Sequence, residues 1–104
     1  MPNPRVSFEV FPPRNMDASF TLWDTAQALA PLAPRFFSVT YGAGGTTRDL
    51  SHDAAHVLRR TSGLPVAAHL TCVGASKSET LEVADRFAAI GVTDIVALRG
   101  DPPA

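Results

Sequence analysis

Strand-like segments recur along this chain at intervals of 29 residues, with Phe11, Thr40, His69 and Leu98 at their C-terminal ends. Each segment is short and rich in apolar, β-branched or aromatic side chains, which predicts a β-strand. The predicted strands are Val6–Phe11, Phe36–Thr40, Pro65–Leu70 and Asp94–Leu98. Such regular alternation with longer segments predicts βαβ units and a parallel sheet whose strands all end at one edge.

The segments between the strands predict three helices, at Ser19–Leu32, Arg48–Arg60 and Lys77–Ile90. Pro31 and Pro34 should end the first helix, because proline cannot continue the hydrogen-bond pattern. In the second helix one apolar stripe is expected, formed by Leu50, Ala54, Val57 and Leu58.

The third helix should begin with a capping box. Ser76 and Glu79 have the S-x-x-E spacing at which each side chain binds a backbone amide of the other residue. Gly63 and Gly91 follow the second and third helices, where a left-handed residue is favoured. These signals set the helix boundaries independently of the strand pattern.

Two α/β folds fit this alternation, a doubly wound open sheet and a (β/α)8 TIM barrel. A dinucleotide-binding doubly wound sheet needs G-x-G-x-x-G after its first strand, whereas this chain has Phe11-Pro12-Pro13-Arg14 there. The barrel is therefore the prediction. Since a barrel takes about 250 residues, residues 1–104 would be a single incomplete domain, the first half with about four strands and three helices.

Composition excludes several functional classes. The chain is 45% hydrophobic and 18% charged with a net charge of −1, which is typical of a soluble globular protein. There is no basic stripe to bind nucleic acid, no apolar run long enough to span a membrane and no signal-peptide pattern. The single cysteine, Cys72, indicates a reducing, cytoplasmic setting, and we expect it to be a small buried residue.

Polar residues collect at the strand ends, where barrel enzymes have their active sites. Glu9 interrupts an apolar strand, which is costly unless the carboxylate is paired or used. If burial raised its pKa, Glu9 would suit a general acid; a structural ion pair is the equally weighted alternative. His69 ends the third strand and could donate to a ligand, transfer protons or bind metal.

The other strand ends also carry candidate ligand-binding segments. The glycine-rich loop Thr40–Thr47 exposes backbone amides before a helix, although such loops are also common as plain connections. Arg99-Gly100-Asp101 suits a polar ligand, or else a tight turn with a surface ion pair. His52 and His56 have a metal-ligand spacing, but on an outer helix we interpret them as solvent-exposed and expect no metal site.

Four motifs in register resemble those of the methylenetetrahydrofolate reductase family. They are Ser7–Arg14 (SFEVFPPR), Phe37–Ala43 (FSVTYGA), Ala68–Cys72 (AHLTC) and Ala97–Pro103 (ALRGDPP). The resemblance covers nearly the whole chain, and its order and spacing match as well. Val10 departs from it, because the family commonly has Phe there; the change is a conservative one in packing.

The resemblance implies a flavin-dependent reductase of one-carbon metabolism. Such an enzyme would use non-covalent FAD and either NADH or NADPH to reduce 5,10-methylenetetrahydrofolate to 5-methyltetrahydrofolate, which feeds methionine synthesis. It implies Glu9 as the general acid. It implies flavin contacts from Thr40, Tyr41, Ala43, His69, Leu98, Arg99, Gly100 and Asp101, and folate or nicotinamide contacts from Asp101 and Thr40. We expect a homo-oligomer for the full-length enzyme.

Length favours a competing hypothesis. The chain could be a non-catalytic half-barrel, or a subunit of a split enzyme that needs a partner chain. Because half a barrel leaves two open sheet edges and an uncovered interior, we expect the isolated segment to be inactive. Another class of barrel enzyme, such as an aldolase, would need a catalytic lysine, and the only lysine, Lys77, lies at the start of a helix.

Overall fold

A parallel α/β sheet with helices on one side forms the structure. The computed structural model describes residues 4–41 and 48–99. Its strands are β1 (Phe8–Val10), β2 (Phe37–Val39), β3 (Val66–Thr71) and β4 (Asp94–Leu98), and its helices are α1 (Met16–Leu29), α2 (Arg48–Ser62) and α3 (Lys77–Ala89), with a short 3₁₀ turn at Ala30–Leu32. The strand and helix alternation expected from the sequence is thus confirmed.

The sheet order is β1-β2-β3-β4, and every neighbouring pair is parallel. Doubly wound sheets reverse direction within their first four strands, whereas here each new strand adds beside the preceding one, as in a barrel. The register aligns Glu9 with Ser38, Ser38 with Ala67 and Ala67 with Asp94. These residues therefore lie on one face of the sheet, which we call the open face.

The opposite face of the sheet packs against the helices and forms the hydrophobic core. Phe37 and Val39 of β2 and Val66 of β3 are fully buried there. Burying each of these side chains contributes about 1.5–3 kcal/mol. Helices α2 and α3 supply the complementary surface, through Leu58 and Phe87 respectively.

Helix α2 is rotated relative to the stripe expected from its sequence. Leu50 and Val57 are 36% and 44% exposed, so the expected apolar stripe does not coincide with the buried face of the helix. The buried face is formed by Ser51, Ala54, Ala55 and Leu58. The two alanines let the helix approach the sheet closely, and the Ser51 hydroxyl donates to the Thr40 carbonyl at 2.7 Å, which offsets the cost of burying it.

Helix boundaries follow local chemistry. Helix α1 begins at Met16, earlier than expected, because Asn15 caps it: its side-chain oxygen accepts from the Ala18 amide at 2.8 Å. The capping box of Ser76 and Glu79 at the start of α3 is confirmed. Gly91, which follows α3, has a φ of +91°, a left-handed conformation that glycine adopts without strain.

The open face and β4 are largely uncovered. Val96 and Leu98, on the open face of β4, are 38% and 40% exposed, and Ile95 on the other side is 41% exposed because no described helix follows β4. Cys72, expected to be buried, is exposed just after β3 ends. Within residues 4–41 and 48–99, no helix has the length and apolarity needed to cross a membrane.

Candidate functional site

The carboxylate of Glu9 and the imidazole of His69 meet on the open face of the sheet. Glu9 comes from the middle of β1 and His69 from the second half of β3, and Glu9 Oε1 lies 3.0 Å from His69 Nε2. The two residues belong to strands separated by β2, so the long Glu9 side chain bridges across that strand. The sequence predicted both as site residues, and the structure brings their side chains together.

Ser38 of β2 completes this cluster. Its Oγ donates to the same Glu9 oxygen, Oε1, at 3.4 Å. That distance is long for a hydroxyl donor, so the histidine makes the stronger of the two contacts. Ser38 is only 6% exposed, and its position beside Glu9 follows directly from the strand register.

Burial within the cluster is uneven. The His69 side chain is 15% exposed, whereas the Glu9 side chain is 54% exposed. Glu9 is therefore not a buried side chain here, although its strand is otherwise apolar in sequence. Within the described residues no strand covers the open face, and His69 and Ser38 are the side chains that contact the carboxylate.

Thr40 and Tyr41, at the end of β2, diverge. Thr40 lies two residues after Ser38 and so shares the open face, and its amide donates to the Val10 carbonyl at 3.1 Å. Tyr41 is buried within the helix-side core. Thr40 is thus placed toward the Glu9 cluster, while the Tyr41 side chain serves the packing between the sheet and the helices.

Of the remaining predicted residues, two are described and three are not. Leu98 pairs with Thr71 across β3 and β4, and both Leu98 and Arg99 are exposed. Ala43, Gly100 and Asp101 lie outside the described residues. Their predicted contacts with flavin or folate stay predictions.

Thr71 is a further polar residue at this edge that the sequence analysis missed. It is 4% exposed, it shares the open face with His69 by strand alternation, and its hydroxyl has no hydrogen-bond partner in the described part of the chain. A buried hydroxyl without a partner costs about 1–3 kcal/mol. Such an orphan at a strand's C-terminal end fits a position that a ligand atom satisfies.

The sequence analysis did not single out Ser38 or Thr71, although a period-two pattern could have revealed both. Ser38 and Thr71 stand at even spacing from Thr40 and His69 respectively, within strands whose other face is apolar. Small hydroxyl residues are common in strands, so their type alone carried no functional signal. Only the register shows that they share a face with Glu9.

The second-helix histidines do not belong to this site. His52 was expected on the solvent surface, but its side chain is 19% exposed and its ring lies 5.9 Å from that of Phe87. It packs between α2 and α3 and also contacts Asp53 at 3.6 Å. Within residues 4–41 and 48–99, no three His, Cys, Asp or Glu side chains are grouped to hold a metal ion.

A cavity of about 410 Å³ opens at the opposite end of the sheet. Arg5, Arg35 and Asp94 are among the residues that line it, near the N-terminal ends of the strands. Barrel enzymes place their chemistry at the C-terminal ends. The Glu9 cluster is therefore the better candidate site.

Comparison with known proteins agrees with the motifs at the strand ends. The family model for methylenetetrahydrofolate reductase matches residues 2–104. The chain belongs to the methylenetetrahydrofolate reductase family. Members of this family are TIM barrels, which agrees with the sequential parallel order of β1 to β4.

Individual relatives show how much of a family member is present. The chain is 46% identical over 98 residues to a 5,10-methylenetetrahydrofolate reductase of Pectobacterium carotovorum, and 44% identical over 98 residues to that of Escherichia coli; each match covers 94% of this chain and 33% of the relative. Methylenetetrahydrofolate reductase (NADH) 1 of Arabidopsis thaliana is 33% identical over 97 residues, covering 93% of this chain and 16% of its own length. The chain thus spans about a third of the length of the bacterial methylenetetrahydrofolate reductases.

Proposed function

We propose that the protein carrying this segment reduces 5,10-methylenetetrahydrofolate to 5-methyltetrahydrofolate with NADH or NADPH as the electron source and FAD as bound cofactor. The observation that carries the proposal is the Glu9–His69 contact of 3.0 Å on the open face. This contact supports the proposal because the chain belongs to the methylenetetrahydrofolate reductase family and barrel enzymes build their active sites at the strand ends. The product would enter methionine synthesis, and we propose a cytoplasmic homo-oligomer.

Glu9 would act as the general acid. Opening the methylene bridge of the folate leaves a nitrogen that needs a proton, and a positioned carboxylic acid typically accelerates such a step about 10²–10⁴-fold. The Glu9 side chain is exposed on one side and held by Ser38 and His69 on the other. It is therefore reachable by a substrate without being free to swing away.

The described residues fit a bound flavin on this face. The orphan hydroxyl of Thr71 and the accessible side chains of Thr40 and Leu98 lie around the C-terminal ends of β2, β3 and β4. Together with His69 they would hold the cofactor, and we propose that Arg99, Gly100, Asp101, Tyr41 and Ala43 contribute as the family motif implies. FAD supplies the hydride chemistry; the chain's part is binding, orientation and proton delivery.

Substitution of Glu9 tests this proposal. In the full-length protein, Glu9→Gln keeps the shape of the side chain but removes the acid, so folate reduction should fall about 10²-fold or more. Oxidation of NAD(P)H with an artificial electron acceptor should persist, because it needs no proton for the folate nitrogen. Both rates would be followed by absorbance under matched conditions.

A matched control is available on α3. Glu82→Gln makes the same chemical change at an exposed position of the helix, and it should leave both rates unchanged. Full folate reduction by the Glu9→Gln variant would contradict the proposed role. Failure of the unmodified protein to use the folate at all would instead favour the non-catalytic half-barrel.

A further inference from the structure

Two polar atoms, one from Ser38 and one from His69, lie against the same oxygen of Glu9. His69 Nε2 lies 3.0 Å from Oε1, and Ser38 Oγ lies 3.4 Å from the same atom. In the described structure, Oε2 has neither of these contacts. The two oxygens of the carboxyl group are therefore not equivalent.

We propose that Ser38 and His69 are positioning residues that keep Oε1 as a hydrogen-bond acceptor and so place the proton of the acid form on Oε2. This deepens the proposed function and rests on it for the reaction step. A protonated carboxyl has one carbonyl oxygen that accepts and one hydroxyl that donates. With the N–H of His69 and the O–H of Ser38 both donating to Oε1, that atom is the carbonyl oxygen of the acid.

The proposal also specifies the histidine tautomer. Neutral imidazole carries its proton on one nitrogen only. For His69 to donate to Oε1, that nitrogen is Nε2, which leaves Nδ1 without a proton. Hydrogen bonding from a second group sets which ring nitrogen is protonated, and here the group is the Glu9 carboxyl.

The strand register makes this arrangement rigid. Ser38 is paired directly with Glu9 in the β1–β2 ladder and is 6% exposed, so its hydroxyl has little room to turn elsewhere. His69 has a 15% exposed side chain and comes from β3, on the far side of Ser38. Among the described residues of the three neighbouring strands, His69 is the titratable side chain that touches Glu9.

In the reaction, the proton leaves Oε2 for the folate nitrogen. The Oε2–H bond breaks, an N–H bond forms, and the electron pair stays on Glu9 as a carboxylate. His69 and Ser38 remain donors to Oε1 throughout, so they stabilise the product carboxylate without moving a proton themselves. Solvent on the exposed side of Glu9 then returns the proton.

Infrared spectroscopy of the full-length protein tests the proposal directly. The carbonyl stretch of protonated Glu9 is the carboxylic acid band that disappears in Glu9→Gln. Each hydrogen bond accepted by the carbonyl lowers that frequency, so Ser38→Ala should move the band upward. Ser38→Thr keeps the hydroxyl and should restore it, while Ser7→Ala, which removes an exposed hydroxyl just before β1, should leave it unchanged.

Kinetics give a second readout. Ser38→Ala should lower kcat for folate reduction about fivefold, the loss expected for one modest hydrogen bond, with little change in KM for the folate. His69→Gln retains an N–H donor and should keep more activity than His69→Ala. FAD content of each variant is measured by absorbance, so that weaker cofactor binding by His69 variants is counted separately.

Two results would overturn the proposal. One is an unchanged carbonyl band in Ser38→Ala; the other is ¹⁵N NMR showing His69 with an unprotonated Nε2 while Glu9 is protonated, which would put the acid proton on Oε1. Both measurements work on the protein without folate. They therefore remain decisive if the unmodified protein proves not to reduce the folate, an outcome that would reject the proposed function separately.

Discussion

At the scale of single residues, the chain concentrates energetically costly groups on the open face of the sheet. His69 and Ser38 are mostly buried polar side chains, and both point their hydrogen-bonding atoms at Glu9. Thr71, close by, has a buried hydroxyl without a described partner. Polar groups are buried at a cost unless they are satisfied, so this concentration supports the proposal that the open face carries the site.

Thr71→Val separates stability from ligand binding. Valine has the shape of threonine without the hydroxyl, so the free protein should gain about 1 kcal/mol in its free energy of unfolding. If FAD satisfies the hydroxyl, the same change should weaken FAD binding about fivefold. Urea denaturation of the apoprotein and fluorescence titration with FAD measure the two effects.

Thr93→Val is the control for that pair of measurements. The Thr93 hydroxyl is exposed and donates to Asp94 at 2.9 Å, at the N-terminal end of β4. Its loss should change stability by less than about 0.5 kcal/mol and leave FAD affinity unchanged. Equal FAD affinity in Thr71→Val and the unmodified protein would remove Thr71 from the binding site.

At the scale of elements, residues close in sequence determine where a helix begins, whereas packing against the sheet determines which face of the helix is buried. Asn15 and Ser76 are N-caps that lie next to the turns they stabilise, so neighbouring residues in the chain suffice to define them. The rotation of α2 is set by what lies beneath it. Small residues, Ala54 and Ala55, face the sheet, and the larger Leu50 and Val57 turn outward.

Ser76→Ala should weaken the start of α3. The Ser76 hydroxyl accepts from the Glu79 amide at 3.1 Å, and Glu79 Oε1 accepts from the Ser76 amide at 3.4 Å. Removing the cap should lower the free energy of unfolding by about 1 kcal/mol. Ser76→Asp retains a capping oxygen and should stay near the unmodified value; equal urea midpoints for Ala and Asp variants would contradict the role of the cap.

At the scale of the whole molecule, the helices cover one face of the sheet, and the open face is largely uncovered in the described residues. The helix-side core is continuous through β1, β2 and β3. The open face exposes Val96 and Leu98, and β4 presents an edge that no described strand pairs. Unpaired edges and exposed apolar faces promote association between chains.

The isolated 104-residue chain is accordingly expected to self-associate and to show no reductase turnover. Light scattering after gel filtration and an assay of NAD(P)H-dependent folate reduction test this, with the full-length protein as reference. Val96→Lys places a charge on the open face of β4 and should reduce the association. A monomeric 104-residue chain with measurable turnover would contradict the expectation.

Much of the fold follows from local sequence. Apolar alternation, the Ser76–Glu79 cap and the glycines after α2 and α3 each act within a few residues, and all agree with the structure. The strand repeat, with its interval of 29 residues, likewise requires a parallel sheet whose carboxyl ends share one edge. Glu9 and His69 could therefore be proposed as site residues from the chain alone.

Tertiary contacts decided the rest. Whether Glu9 is buried, which oxygen it offers and which partners it has depend on β2 and β3 lying beside β1, and sequence spacing carries no information on such distances. His52 packs on Phe87 and Cys72 is exposed for the same reason: burial depends on which residues distant in sequence cover a side chain. Short-range geometry determines the elements, whereas long-range packing determines the environment in which each side chain acts.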